Sequence, residues 1–224
     1  MSRCVGPRIG IVDYGSGNLR SVQRAIEHAG GSCILLHDAG DAETCSALVV
    51  PGVGSFGDCA RQLQKAGLWS FIREWVRSDR PYLGICLGYQ LLFESSEESP
   101  GIEGLGVLKG KVLHFSGGGD LKIPHMGWNQ LRIRKSEDRL MQGLGEAPNF
   151  YFVHSYYPAP EDEDIVTATC SYGLEFAAGV TRGNLSAVQF HPEKSQELGL
   201  AMLRNFINSL DPSRTSRHAA LPRH

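Results

Sequence analysis

A cysteine and a histidine–carboxylate pair follow two apolar runs of the chain. Cys86 lies in Leu83-Gly-Ile-Cys-Leu-Gly-Tyr-Gln90, where a short apolar segment gives way to a helical pattern. Far downstream, Ala187-Val-Gln-Phe190 leads into His191-Pro-Glu193. A thiol at a tight strand-to-helix turn, with a base and an acid two residues apart, supplies the parts of a Cys-His-acid triad. The pattern predicts acyl transfer on a carbonyl substrate, with Cys86, His191 and Glu193 as catalytic residues.

The environment of the thiol decides whether it is reactive or merely buried. A free thiol has a pKa of about 8.5, so little of it is thiolate at neutral pH. A helix start places N–H groups and the positive dipole end beside the sulfur, and the Leu87 N–H is the first candidate to stabilise an oxyanion. Cys86 taken alone favours a buried, structural cysteine. His191 changes the interpretation because histidine is the usual proton acceptor at neutral pH, and Glu193 shares its strand face.

Composition and charge exclude several classes of protein. The 224 residues are 42% hydrophobic and 21% charged, which is ordinary for a globular domain. A formal net charge of −2 gives no reason to expect nucleic acid or an anionic membrane as partner. The start, Met1-Ser-Arg-Cys-Val-Gly6, shows no signal peptide, and no apolar stretch is long enough to span a membrane. We therefore expect a cytoplasmic protein.

Cysteine and histidine spacing favours neither disulfides nor metal. Six cysteines occur without a CxxC pair, and no HExxH or paired Cys–His spacing is present. Four of the six lie in apolar or helical contexts and are expected to be buried small hydrophobes or inert surface thiols. The sequence thus predicts no metal site and no cofactor.

The first half of the chain alternates strand and helix patterns. Apolar runs predict strands at Ile9-Gly-Ile-Val12, Cys33-Ile-Leu-Leu36, Ala47-Leu-Val-Val50 and Pro81-Tyr-Leu-Gly-Ile85. Helical spacing predicts one helix from Leu19 to the Gly30-Gly31 pair and helical structure between Asp58 and Ser78. This alternation is typical of an α/β fold: a mainly parallel central sheet with helices on both faces.

The second half is richer in strands. Candidate strands cover 106–113, 130–134, 149–153, 165–170, 176–180 and 186–190, and a last helix contains Leu203, Phe206, Ile207 and Leu210. We expect additional antiparallel strands here, and a single domain over residues 1–211. Residues 212–224 lose apolar periodicity and are predicted to be a disordered tail.

The motifs together resemble the class I (triad) glutamine amidotransferases, which have a flavodoxin-like fold. Gly84-Ile-Cys-Leu-Gly-Tyr-Gln-Leu91 and Gln189-Phe-His-Pro-Glu-Lys-Ser195 are similar to the two active-site segments of that family. Within it, further segments resemble the glutaminase subunits of imidazole glycerol phosphate synthase: Asp13-Tyr-Gly-Ser-Gly-Asn18, Pro51-Gly-Val-Gly-Ser-Phe-Gly57, Pro124-His-Met-Gly-Trp-Asn129 and Phe152-Val-His-Ser-Tyr156. Each is common alone, but their combination and order are specific.

The resemblance implies hydrolysis of L-glutamine through a thioester on Cys86. His191 would act as general base and acid, and Glu193 would orient it. Ammonia would pass to a cyclase subunit, a β/α barrel in this family, which forms a heterodimer with the glutaminase. The cyclase makes imidazole glycerol phosphate and aminoimidazole carboxamide ribotide in histidine biosynthesis.

Further positions are assigned to substrate. The loop after Val50 lies at a carboxyl strand end, where α/β sheets bind ligands. The backbone N–H groups near Gly52 and Val53 in this loop are candidates for the second oxyanion donor. The alternative is that the loop is only a flexible turn. Gln90 lies one helical turn after the nucleophile and is a candidate for the amino-acid end of glutamine. The remaining candidates come from the resemblance: Glu98 for the substrate amine, with a solvated helix end as its alternative, and Ser155 and Tyr156 for the carboxylate.

Other positions are assigned to the cyclase surface or to packing. The resemblance places Asn18, Trp128, Tyr151 and Lys194 there, with a core position as the alternative for Trp128. His154 is predicted to be structural. Tyr89 departs from the methionine usual in the family, and we expect it to pack behind the nucleophile.

The sequence leaves three alternative functions. Asp13-Tyr-Gly-Ser-Gly-Asn-Leu-Arg20 is half of a GxGxxG fingerprint, but a dinucleotide site would want glycine where Arg20 stands. A binding module is disfavoured by the complete triad. The serious rival is a cysteine hydrolase acting alone or a glutaminase serving another synthase, such as that for pyridoxal phosphate.

Overall fold

Strands and helices alternate through the first half of the chain. The computed structural model describes residues 7–15, 17–116 and 121–211. The elements of this half are β1 (Arg8–Val12), α1 (Leu19–His28), β2 (Ser32–Leu36), β3 (Ala47–Val50), α2 (Phe56–Lys65), α3 (Leu68–Arg77), β4 (Tyr82–Ile85) and α4 (Leu87–Gln90), with a 3₁₀ helix at Gly40–Thr44.

The second half consists mainly of strands. They are β5 (Ser95–Ser96), β6 (Gly110–His114), β7 (His125–Ile133), β8 (Asn149–His154), β9 (Tyr156–Pro160), β10 (Val166–Tyr172), β11 (Leu174–Arg182) and β12 (Leu185–Val188). Short 3₁₀ helices lie at Glu163–Ile165 and Pro192–Lys194, and the long helix α5 (Gln196–Ser209) closes the described part of the chain.

One nine-stranded sheet organises the molecule, in the order β2-β1-β3-β4-β12-β11-β10-β7-β8. Pairing is parallel from β2 through β12 and antiparallel from β12 through β8. A separate three-stranded sheet has the order β5-β6-β9. The predicted α/β class, with a parallel sheet and additional antiparallel strands, is confirmed; the parallel part is one half of the large sheet.

Helices cover both faces of the parallel half. On β3, Ala47 and Val49 belong to one apolar core, with α1 and α5, while Leu48 and Val50 belong to the other, with α2 and α3. Successive side chains on a strand point to opposite faces, so a strand buried on both sides is apolar throughout. This is why the short continuous runs of the first half predict their strands correctly.

The main differences from the sequence prediction are these. The helical region 58–78 is two helices, because Gly67 adopts a left-handed conformation (φ 71°) between them. The strand predicted at 106–113 begins only at Gly110, and that predicted at 130–134 begins already at His125. Exposed Met126 and Trp128 conceal the alternation of burial on β7. The unpredicted strand β9 contains two prolines, which its position at a sheet edge permits.

Some expectations fall outside the described residues. These are Cys4, Ser16 of the Asp13–Asn18 segment and the tail 212–224. Within the parts that are described, no helix is long and apolar enough to cross a membrane. The cysteines described, Cys33, Cys45, Cys59, Cys86 and Cys170, are free thiols.

Candidate active site

A sharp turn between β4 and α4 presents the nucleophile candidate. Cys86 adopts φ 54° and ψ −104°, a conformation that L residues with a side chain rarely adopt. Strain of this kind, at a strand-to-helix turn, is typical of nucleophile elbows, where it aims the reactive atom away from the backbone. Cys86 is 7% exposed, so its sulfur is accessible only through the adjoining cavity.

Glycine is required where α4 packs on the sheet. A methyl group added at Gly88 would stand 1.9 Å from the carbonyl oxygen of Val50, and one added at Gly84 would stand 2.7 Å from that of Gly88. The Tyr82 hydroxyl donates to the Gly88 carbonyl at 2.9 Å, which holds the same turn from the other side. The elbow therefore depends on the absence of side chains at two positions that flank Cys86.

The pairing of β4 with β12 brings the two motifs together. Ile85 pairs with Val188 in parallel register, and the Cys86 N–H donates to the Val188 carbonyl at 2.8 Å. That N–H is therefore used within the sheet. Leu87 is the first residue of α4, so no preceding helical turn supplies a carbonyl partner for its N–H. This N–H is therefore the first candidate donor next to the Cys86 sulfur.

His191 and Glu193 form a buried pair beyond the end of β12. His191 Nδ1 lies 2.8 Å from Glu193 Oε1, with side chains that are 3% and 2% exposed. The Ser195 hydroxyl donates to the His191 carbonyl at 2.7 Å and accepts from the Tyr151 N–H at 3.0 Å. The His191 N–H in turn donates to the Tyr151 carbonyl at 2.9 Å. These bonds secure the backbone of the loop to β8.

The electrostatics of His191 agree with its geometry. Burial by itself lowers the pKa of His191, but the nearby Cys86 thiolate and the Glu193 carboxylate outweigh burial and raise the pKa to about 10. Nε2 of His191 is buried and lacks a partner at good hydrogen-bond geometry within the described residues. The nitrogen is thus available to a reacting group while Nδ1 is held by Glu193.

A cavity of about 360 Å³ opens beside the sulfur. It contains Cys86 and His191 together with several predicted substrate positions. The remaining lining residues are Val53, Gly54, Leu87, Gln90, Glu98, Pro124, Val153, His154, Ser155 and Tyr156. Its size and mixed polar and apolar lining suit a small amino-acid ligand.

Gly52 lies behind this lining. A methyl group there would stand 2.6 Å from Leu87 Cβ and 2.7 Å from the Tyr14 hydroxyl. The Tyr14 hydroxyl also donates to the Pro51 carbonyl at 3.0 Å. Tyr14, on the loop after β1, therefore anchors the 51–54 loop against the start of α4, and Gly52 permits that close approach.

Two of the predicted substrate positions already have protein partners. The amide nitrogen of Gln90 donates to the Tyr156 carbonyl at 2.9 Å and to Gln189 Oε1 at 3.1 Å, which uses both of its hydrogens. Oε2 of Glu98 accepts the N–H of Phe56, at the start of α2, at 2.7 Å. Glu98 is therefore not a solvated helix end: it lies in the cavity wall and caps a neighbouring helix.

The residues predicted to face a partner lie together, with one exception. Trp128 on β7 pairs with Tyr151 on β8, their rings lie edge to face at 6.2 Å, and Lys194 Nζ is 5.7 Å from the Tyr151 ring centre. Trp128 is 50% exposed, so the core alternative is wrong. Asn18 is also exposed, but it stands at the start of α1.

Other predicted positions lie in the interior. Tyr89 is fully buried, stacks edge to face on Phe93 and donates to the Ala177 carbonyl at 3.4 Å, so it packs behind the elbow. His154 is buried too, and its Nδ1 bonds the Tyr156 carbonyl at 2.8 Å.

Sequence reasoning missed three residues around the site: Tyr14, Gln189 and Ser195. Gln189 and Ser195 flank the histidine motif, but a polar residue next to a motif has no distinguishing spacing. Tyr14 stands in a glycine-rich loop whose link to the loop 51–54 is non-local. Their roles follow from hydrogen bonds between distant segments.

The comparisons with known proteins agree on one family. The family described as glutamine amidotransferase class-I matches residues 10–210. Two solved structures from Thermotoga maritima share the fold. PurLQS has a TM-score of 0.72 at 21% identity, covering 92% of this chain and 100% of that one. A glutamine amidotransferase has a TM-score of 0.63 at 15% identity, covering 92% and 98%.

Curated relatives identify a narrower group within this family. The imidazole glycerol phosphate synthase subunit HisH of Geobacter sulfurreducens is 46% identical over 204 residues, which are 89% of this chain and 97% of that protein. HisH of Syntrophotalea carbinolica is 49% identical over 201 residues, 88% and 97% of the two chains. Imidazole glycerol phosphate synthase hisHF of Arabidopsis thaliana is 42% identical, over 91% of this chain but 34% of that protein. The chain belongs to the class I glutamine amidotransferases and, within them, to the HisH subunits of imidazole glycerol phosphate synthase.

Proposed function

We propose that this chain is the glutaminase subunit of an imidazole glycerol phosphate synthase, in which Cys86 hydrolyses L-glutamine with His191 and Glu193. The observation that supports it most directly is the placement of Cys86 and His191 in one cavity, with Glu193 2.8 Å from the far nitrogen of the histidine ring. A nucleophile, a histidine and a third residue that orients the ring perform acyl transfer on several unrelated folds.

The first half of the reaction forms a thioester. The Cys86 thiolate attacks the side-chain amide carbon of glutamine, and the carbonyl electrons move to oxygen. The N–H of Leu87, with that of Val53, stabilises the oxyanion. The raised pKa of His191 favours the imidazolium beside the thiolate. The imidazolium protonates the departing nitrogen, ammonia leaves, and the acyl–sulfur bond remains.

The second half releases glutamate. His191, now neutral, removes a proton from water, and the resulting hydroxide attacks the thioester carbon. A second oxyanion forms in the same place, collapses and expels the Cys86 thiolate, while His191 returns to its protonated form. Glu193 stabilises the imidazolium throughout and holds the ring in the tautomer that presents Nε2 to the substrate.

The cavity wall offers contacts for the amino-acid end of glutamine. The Glu98 carboxylate suits the substrate ammonium. Ser155 and Tyr156, after β8, suit its carboxylate through the backbone. Both hydrogens of the Gln90 amide nitrogen are already used, so Gln90 offers glutamine only its carbonyl oxygen. Gly52 contributes indirectly, by letting the loop of Val53 approach Leu87.

Ammonia is consumed by a cyclase subunit in a heterodimer with this chain. Val53, Met126 and Trp128 are the exposed large hydrophobic residues of the described chain, and Val53 lines the cavity itself. Trp128 and Tyr151 are aromatic residues of the kind enriched at interfaces, and Lys194 lies beside Tyr151. We place the cyclase on this surface, with Asn18 at its margin, and the whole complex in the cytoplasm. Residues 1–211 make up the single catalytic domain.

Ammonia release from glutamine tests the proposal, measured with and without the cyclase and its ligand. Cys86→Ala should remove turnover under both conditions. Cys33→Ala is the matched control, since Cys33 is a half-buried thiol on β2 away from the cavity. Normal turnover by Cys86→Ala would exclude the thioester mechanism. If the rate of glutamine hydrolysis were the same with and without the cyclase, and the two proteins formed no complex, a glutaminase serving another synthase would be favoured.

A further inference from the structure

The buried amide of Gln189 contacts the nucleophile itself. Gln189 follows β12, and its side chain has no exposed surface. Its Nε2 lies 3.5 Å from the Cys86 sulfur, and its Oε1 accepts from Gln90 Nε2 at 3.1 Å. A buried amide needs partners at both ends, and here one partner is the reactive sulfur. The mechanism above uses Gln189 at no step.

A main-chain carbonyl fixes the direction of these bonds. The Tyr156 oxygen can only accept, so the Gln90 atom 2.9 Å from it is the amide nitrogen. That nitrogen gives its second hydrogen to Gln189, so the Gln189 atom facing Gln90 is the oxygen. The Gln189 nitrogen therefore faces Cys86 and donates to its sulfur.

Two neutral histidines extend the same chain. The Tyr156 carbonyl also accepts from Nδ1 of His154 at 2.8 Å. His154 Nε2 then accepts from His125 Nδ1 at 3.0 Å, and His125 Nε2 accepts from the Asn129 amide at 3.1 Å. Burial lowers the pKa of His125 to about 4 and that of His154 to about 3. Both rings are neutral at neutral pH, so each has one proton to donate and the chain runs in one direction.

We propose that Gln189 donates a fixed hydrogen bond to the Cys86 sulfur and so stabilises its thiolate. Gln90 fixes the orientation of the Gln189 amide, and His125 and His154 secure the carbonyl to which Gln90 is bound. A hydrogen bond donated to the charged form of a group favours that form. The inference rests on the proposed function, because a stabilised thiolate matters only if Cys86 reacts.

The other groups that act on Cys86 must stay constant in any test. The titratable groups around it come from several elements: His191, with Glu193 behind it, from the loop after β12, Tyr14 from the loop after β1, and Cys59 from α2. Across the cavity lie Glu98 from the loop after β5, His154 from β8 and Tyr156 from β9. None of them is altered by substitution at Gln189. A change in the pH dependence of the sulfur then measures the loss of the amide donor.

The test is the rate of alkylation of Cys86 by iodoacetamide as a function of pH, followed on the Cys86 peptide by mass spectrometry. Gln189→Met keeps the length of the side chain without the donor, and Gln189→Glu replaces the donor by a negative acceptor. Loss of one hydrogen bond to a charged group should raise the pH of half-maximal rate by about 1 unit, and Gln189→Glu should raise it further.

Glutamine turnover gives a second readout that a purely structural role would not produce. At a pH below that of half-maximal alkylation, Gln189→Met should lower kcat about tenfold, with KM within about twofold, because the thiolate fraction there falls tenfold for each unit by which the half-maximal pH rises. Raising the pH should restore kcat toward the wild-type value. A misplaced sulfur would leave the deficit unchanged at every pH.

A second variant keeps the proposal testable if Gln189→Met does not fold. Gln90→Glu has the same shape but cannot donate to Gln189, so the Gln189 amide would turn and present its oxygen to Cys86. The same upward shift in the alkylation profile is expected. Wild-type profiles in the folded variants, with Cys86→Ala inactive, would overturn this inference and leave the proposed function standing. Turnover by Cys86→Ala would overturn the proposed function itself.

Discussion

Replacing Gly88 by alanine tests whether close packing against β3 sets the position of the nucleophile. The new methyl carbon would stand 1.9 Å from the Val50 carbonyl oxygen, where contacts under 3.0 Å essentially never occur, so roughly 1 Å of separation must be gained. Val50 ends a central strand that is bonded on both sides, so it cannot give way. The first turn of α4, with Leu87 and the sulfur of Cys86, must therefore shift away from the loop 51–54.

The displacement of α4 should change two measured quantities, kcat and the melting temperature, by predictable amounts. A displacement of about 1 Å at a reacting group costs about 100-fold in rate, which is the loss of kcat we expect for ammonia release by Gly88→Ala. Overpacking of this kind destabilises by about 1–3 kcal/mol, and each kcal/mol lowers the melting temperature of a chain of this size by about 2–4 °C. Turnover is assayed well below the transition, with folding checked by circular dichroism.

A matched glycine substitution separates packing from chain entropy. Gly40 is exposed, and a methyl group there would meet only the flexible Asp38 carboxylate, at 3.1 Å. Gly40→Ala should leave kcat unchanged and stability equal or slightly higher. Turnover within twofold of wild type and an unchanged melting temperature for Gly88→Ala would refute the argument that this contact positions the elbow.

Three further outcomes are expected. Glu193→Gln should lower kcat by about 10- to 100-fold, because the amide oxygen can still accept from the His191 ring but lacks the charge that strengthens this bond. In the wild type, protonated His191 contributes folding stability below pH 6.5, and this contribution is lost as the pH rises through about 10. Without the Glu193 carboxylate the pKa of His191 falls. Denaturant titrations of the variant should therefore show the loss of stability at a lower pH. Trp128→Ala should leave the melting temperature within about 2 °C but weaken cyclase binding at least tenfold by calorimetry, and unchanged affinity would place the cyclase elsewhere. Ser195→Ala removes two bonds to the backbone beside Tyr151 and His191 and should cost about 1–3 kcal/mol in urea unfolding, with a value near zero contradicting its anchoring role.

The sequence could predict which two segments meet at the proposed active site, because each has a local signature. Cys86 stands between an apolar run and a helical pattern, and His191 follows another apolar run with its acid two residues later. Such strand ends meet at one edge of a parallel sheet, so proximity of the two motifs was a reasonable expectation. The fold class followed from the same runs, since strands covered on both faces are apolar throughout.

What the sequence could not predict depends on contacts between distant segments. The bond between Gln90 and Gln189 joins residues 99 positions apart, and neither side chain differs in pattern from a solvated glutamine. Trp128 could not be assigned to core or surface, because the exposure of β7 depends on what covers it. Strand β9 was missed because its prolines are acceptable only at an edge, and edges are a property of the whole sheet.

Parallel pairing of β4 and β12 makes the active site insensitive to the chain length between its parts. The relative position of the two side chains depends only on how far each lies along the chain from the paired residues Ile85 and Val188. Cys86 comes one residue after Ile85, and His191 comes three residues after Val188. Insertions in the loops between the two strands leave both counts intact. Deleting one residue within β12 keeps Cys86, His191 and Glu193 in the sequence yet turns alternate side chains to the opposite face. Relatives of very different length can therefore share this site, whereas a one-residue deletion in β12 abolishes it.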